Sequence, residues 1–162
     1  MTIKWEYQGK RYYLLILQDD TPDNPRHCND SHLDTMACFH RRYNLGDILK
    51  DKNPEEFWQR MVQENTGIDS DVLSITECME IMKPFAVWLP LWLYDHSGIT
   101  IRIYPYNDTW DSRWVGWIVV RREHFESEKA AIEYMRANVK TYDQYLAGET
   151  YGFTLYEKVN KE

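Results

Sequence analysis

The chain has 162 residues, 43% of them hydrophobic, a size that suits one domain able to bury roughly two-thirds of its unfolded surface. Its formal charge of −7, from 19 Lys and Arg against 26 Asp and Glu, disfavours nonspecific nucleic-acid binding, which needs cations to displace phosphate counterions. Cys28, Cys38 and Cys78 form no CxxC pair and read as free thiols in a reducing compartment, and no apolar run is long enough to span a membrane.

The first residues, Met1-Thr2-Ile3-Lys4-Trp5, lead straight into amphipathic sequence, so no signal peptide and a cytoplasmic location are expected. Residues 3–7 and 11–17 flank Gln8-Gly9-Lys10 and predict a hairpin, with 12–17 a largely buried strand. Residues 18–34 are rich in Asp, Asn and Pro without an apolar period, which predicts a long loop. Residues 35–43 suit a strand or a short helix.

Residues 53–65 predict a helix: Asn53 at the N-cap, Pro54 at the first position, Glu56 completing a capping box, and Gly67 past the end. Residues 69–82 are ambiguous, with 72–75 strand-like and 77–82 helix-like. Residues 85–120 are the most apolar and aromatic stretch. Leu89, Leu91 and Leu93 alternate with Pro90, Trp92 and Tyr94, and Ile99, Ile101 and Ile103 alternate with Thr100, Arg102 and Tyr104 across Asp95-His96-Ser97-Gly98. That predicts a hairpin whose Leu and Ile faces are buried together, followed by a third strand at 114–120.

Ser127 is placed to cap a helix to about 139, with Ala131, Met135 and Val139 as its apolar stripe. Thr141 and Gln144 suggest a second capping box opening a short helix that ends at Gly148. Residues 151–156 alternate as a final strand. The expectation is a single α+β domain over residues 1–162, a mostly antiparallel sheet with two to four helices packed against it.

Four places hold chemistry-bearing residues. Asp19, Asp20, Asp23, Asp30 and Asp34, with His27, Cys28 and His32, would suit a cation by type. No EF-hand spacing is present, so a solvated acidic loop without metal is expected, and Asp19, Asp20 and Asp23 are candidates for contacting a partner. Asp95, His96 and Ser97 supply an acid, a base and a nucleophile, yet neighbours in a tight turn point apart and Asp, Ser and Gly are what turns select. Cys38 and His40 would share a face of a strand, as a thiolate–imidazole pair requires, but a cysteine packed as a small hydrophobe is favoured. Arg41 and Arg42 follow the acidic loop closely and carry the charge to pair with it. Trp110, Asp111, Trp114 and Trp117 make a tryptophan-rich segment in which Trp110 is the candidate for exposure. GxGxxG, P-loop, HExxH and GxSxG motifs are all missing, and no cofactor is expected.

The strings LPLWLYDHSGITI (89–101), WDS (110–112), VGWIVV (115–120), TYDQYLAGETYGF (141–153) and DTMACFHRRYNLGD (34–47) resemble a family of small, uncharacterised phage and prophage proteins. Arg113 stands where that family has glycine after WDS. The resemblance implies a setting in mobile elements of a bacterial host cell and carries no catalytic residue with it. Together with the acidic charge and the aromatic content, it implies a phage accessory protein. The function expected is stoichiometric inhibition of a host defence protein, of anti-CRISPR or anti-restriction type. The partner is a host or phage protein, such as a nucleic-acid-handling one with a basic surface, contacted by Asp19, Asp20, Asp23, Asp95, His96, Trp110 and Asp111. The alternative is a ligand-binding protein or enzyme whose pocket of Trp92, Tyr94, His96 and Trp110 surrounds the turn at 95–98, with Asp95 or Asp111 as acid or base.

Overall fold

The computed structural model describes residues 1–28, 32–107 and 111–158, and among these the chain forms seven strands and three α-helices, an α+β fold. In chain order these are β1 (Thr2–Tyr7), β2 (Lys10–Gln18), β3 (Asp34–Cys38), α1 (Pro54–Thr66), α2 (Ile75–Met82), β4 (Ala86–Asp95), β5 (Ile99–Arg102), β6 (Ser112–Arg121), α3 (Glu128–Leu146) and β7 (Tyr151–Lys158). Every strand pair is antiparallel, and the strands form two sheets, β3-β6-β4-β5 and β1-β2-β7.

The four-stranded sheet is covered on both faces. On one face Met36, Leu91, Leu93, Ile101 and Ile118 pack against the α3 stripe of Ala131, Met135 and Val139. Leu93 lies directly opposite Ile101, so Leu91 and Ile101 share a buried face, as the alternation predicts. On the other face Ala37, Trp117 and Val119 meet Phe57 and Trp58 of α1 and Cys78 and Met82 of α2. The central strand β6 is therefore buried continuously from Val115 to Val120. Gly116 sits where a Cβ would run into the Ala37 carbonyl of β3, so the close pairing of these strands requires glycine.

The helices follow their capping signals. Asn53 Oδ1 accepts from Glu56 N at 2.8 Å, Pro54 opens α1, and Gly67 closes it in the left-handed region at φ 71°. The Glu56 carboxylate departs from the predicted box, taking Lys52 N and Asn53 Nδ2 instead of the Asn53 amide. A full box of Ser74 and Glu77 opens α2, which settles the ambiguity at 69–82. Where two helices are expected at 127–148 there is one, α3. Tyr142 extends the buried stripe past Val139, and Thr141 donates to Ala137 O at 3.1 Å along the helix instead of capping a new one.

The 18–34 loop corrects two expectations. Asp34 is no part of a solvated loop; it is the buried first residue of β3. Arg26, also buried, places Nη1 2.9 Å from Asp34 Oδ2, an ion pair without hydrogen-bond alignment. It also donates from Nε and Nη2 to Asp47 at 2.7 and 2.9 Å. Arg26, and not Arg41 or Arg42, is thus the cation that pins this loop, and burial pushes the Asp34 carboxyl above its ordinary range against the pull of Arg26.

The three-stranded sheet differs: none of its residues is buried. The expected burial of residues 12–17 fails here, since Tyr12 to Ile16 are half-buried and Leu17 is 57% exposed. The hairpin forms as predicted, but no helix of the described chain lies over it. The final strand β7 joins this hairpin and not the main sheet.

Candidate functional site

Three of the residues singled out in the sequence converge at one end of the four-stranded sheet. β4 runs out into Asp95-His96-Ser97-Gly98, where Ser97 takes φ 58° and Gly98 φ 151° to turn the chain tightly. The Asp95 amide donates to Asp111 O at 3.2 Å, and His96 Nδ1 lies 3.1 Å from Asp111 Oδ2. The hairpin turn and the start of β6 are thereby tied together.

Two residues from the segment after β3 complete the cluster. Arg42 donates from Nη2 to Asp95 Oδ2 at 2.6 Å, and Tyr43 OH is 3.2 Å from both Asp95 oxygens. His40 stacks on Tyr43 with ring centroids 5.0 Å apart. Its Nδ1 accepts from the amides of Arg42 and Tyr43, both at 3.3 Å, which requires the neutral ring protonated on Nε2. Burial, with Arg42 and Arg113 nearby, holds the His40 pKa below its ordinary value, in keeping with that acceptor role.

Across the turn, Tyr94 stacks on Tyr106 at 5.1 Å, and the Arg102 guanidinium lies over the rings of Tyr106 and Tyr104 at 3.4 and 4.5 Å. The Tyr106 hydroxyl shares a hydrogen bond with Thr100 Oγ1 at 2.8 Å, and its amide donates to Ser112 Oγ at 3.2 Å. The result is a locally fixed patch of aromatic and charged side chains, part exposed and part half-buried. The side chains of Arg42 and His96 are 68% and 64% exposed, and Tyr104 is 57% exposed.

His96 and Asp111 form an acid–base pair, but among the described residues no hydrogen bond joins Ser97 to His96. Cys38 ends its strand partly buried against the α3 core, and burial pushes its thiol up to about 12, far from a thiolate at neutral pH. Trp110 lies outside the described residues, as does Asp30. Asp20 and Asp23 are exposed and Asp19 is half-buried, its carboxylate accepting from Thr21 N at 3.0 Å. No ion pair or hydrogen bond among the described residues joins these three to the Asp95 cluster. A concavity of about 720 Å³ opens between residues 38 and 54, lined by His27, His40, Tyr43 and Asp51 and not by Trp92, Tyr94 or His96.

Sequence reasoning missed Arg42, Tyr43, Arg102 and Tyr106. The Arg41-Arg42 pair was visible, but the partner of Arg42 lies 53 positions away across a strand pairing that no local pattern encodes. No family model matches the chain, and neither a curated protein nor a solved structure matches it.

Proposed function

We propose that this chain is a protein-binding protein that works by occupancy, a stoichiometric inhibitor of a bacterial defence protein of the anti-CRISPR or anti-restriction type. The observation that carries the reading is the fixed cluster in which exposed Arg42, His96 and Tyr104 stand beside half-buried Tyr94, Asp95 and Asp111. Aromatic and Arg side chains dominate binding hot spots, and side chains already held by stacks and ion pairs lose little entropy on docking. The formal charge of −7 suits a partner with a basic surface, such as a nucleic-acid-handling protein, and opposes direct nucleic-acid binding. The resemblance to phage and prophage proteins supplies the setting, the cytoplasm of the bacterial host.

The test is a titration of a purified defence nuclease against this protein. Inhibition should saturate at one copy per target. It should weaken as salt rises, chiefly through slower association. Reversing the charge of Asp19, Asp20 and Asp23 together should slow association while leaving the fold intact. Inactivation of many targets by one copy would overturn the reading. A second reading, an active site around His96 and Asp111, draws on their 3.1 Å contact. Under it, His96→Ala with Asp111→Asn would abolish turnover while ligand binding persists.

A further inference from the structure

The three-stranded sheet carries an apolar face that nothing in the described chain covers. Residues opposite each other across antiparallel strands project to the same side. By that rule Ile3, Trp5 and Tyr7 of β1 share one face with Tyr151, Phe153 and Leu155 of β7, with alternate residues of β2 between them. These six side chains are 40% to 78% exposed. At roughly 200 Å² for a large apolar side chain they present about 700 Å² per copy, above the largest patch of a typical monomer at roughly 300–600 Å². The opposite face mixes Tyr13, Leu15, Leu17 and Tyr156 with Lys4, Glu6, Arg11 and Lys158, so it carries an excess of positive charge that the first face lacks.

We propose that this face is a dimer interface, covered by the same face of a second copy of this chain. Two faces of this size bury about 1,400 Å² together, inside the range of roughly 1,200–2,000 Å² for a stable specific interface. The charge pattern favours a second copy over a charged partner. The face holds one cation and one carboxylate, Lys10 and Glu157, already paired at 2.8 Å. It is therefore neutral and can meet itself without like-charge repulsion or an unpaired buried charge. Stacked sheets of this kind interdigitate their inner side chains at a separation of about 10 Å, the packing of a β-sandwich. The stacked Trp5–Tyr12 pair, with centroids 5.6 Å apart, gives the face a rigid aromatic centre.

The experiment is sedimentation equilibrium of the full chain from about 1 to about 200 µM. The mass should rise from 19.6 kDa towards twice that value. Phe153→Lys and Tyr7→Lys each put an unpaired charge into the interface. They should raise the dissociation constant at least about tenfold. Both sites are exposed in the single chain, so circular dichroism and the melting midpoint at low concentration should match the wild type. Tyr156→Lys, on the other face, should leave the dimer intact. A mass of 19.6 kDa throughout, or a dimer unmoved by both lysine variants on the apolar face, would overturn the proposal. So would a monomer whose inhibition of a target is lost in those variants, which would put a foreign partner on this face.

Discussion

The two sheets are built from the same sequence signal and end in opposite environments. Both show period-two alternation around short Gly-containing turns. In the four-stranded sheet each face found a cover, α3 on one side and α1 with α2 on the other, and Leu91, Leu93, Ile101 and Ile118 are buried. In the three-stranded sheet, Ile3, Trp5, Phe153 and Leu155 alternate as cleanly and remain exposed. Alternation reports which residues share a face; it carries no information about what lies over that face. An uncovered apolar face points outward to another molecule, whereas the covered sheet serves as scaffold for the fixed cluster at its end.

The largest expected effect is at the joint between the two regions. The loop leaving β2 is pinned to β3 by Arg26, and Arg26→Ala leaves the Asp34 carboxylate buried without its cation. A loss of about 3–5 kcal/mol is expected from urea unfolding. Leu91→Ala in the covered sheet should cost about 2–5 kcal/mol by the same measurement. The matching truncation in the open sheet, Leu155→Ala, should cost well under about 1 kcal/mol at concentrations that keep the chain monomeric. Equal losses for the two leucines would erase the distinction between the sheets.

Alkaline pH acts on the covered side through two groups. Burial raises the Cys38 thiol from 9.0 to about 12 and the Tyr142 hydroxyl from 10.0 to about 12. Both pKa values are higher in the folded chain. Their contribution is therefore fully present below the ordinary values and lost as pH rises towards 12, because the unfolded chain releases those protons first. Urea midpoints should fall over pH 9–12, and the fall should be shallower in Cys38→Ala. A modest effect is expected at the caps: Ser74→Ala and Ser127→Ala should each cost about 1 kcal/mol, in α2 and α3 respectively.

Local chemistry was legible and coverage was not. Asn53, Pro54 and Gly67 mark α1 to within a residue, because capping is decided by neighbours in sequence. Leu91 and Ile101 share a face as expected, because the pleat fixes it. The false helix start at Thr141 arose because a capping signal competes with a buried stripe, and Tyr142 in the core wins. The site was half legible: Asp95, His96 and Asp111 do meet, while Arg42 and Tyr43 enter through tertiary contacts. The incomplete burial of residues 12–17 was hidden entirely, since a strand awaiting a partner has the same pattern as one already covered.

Hydrogen exchange at two concentrations tests the central contrast most directly. Peptides from β4 and β6 should be strongly protected, and equally so, at about 1 µM and about 200 µM. Peptides from β1, β2 and β7 should exchange quickly in the dilute sample and slow by at least about tenfold in the concentrated one, as the open face becomes covered. Protection in β1, β2 and β7 that equals that of β4 and β6 at both concentrations, or that stays low at both, would contradict the account.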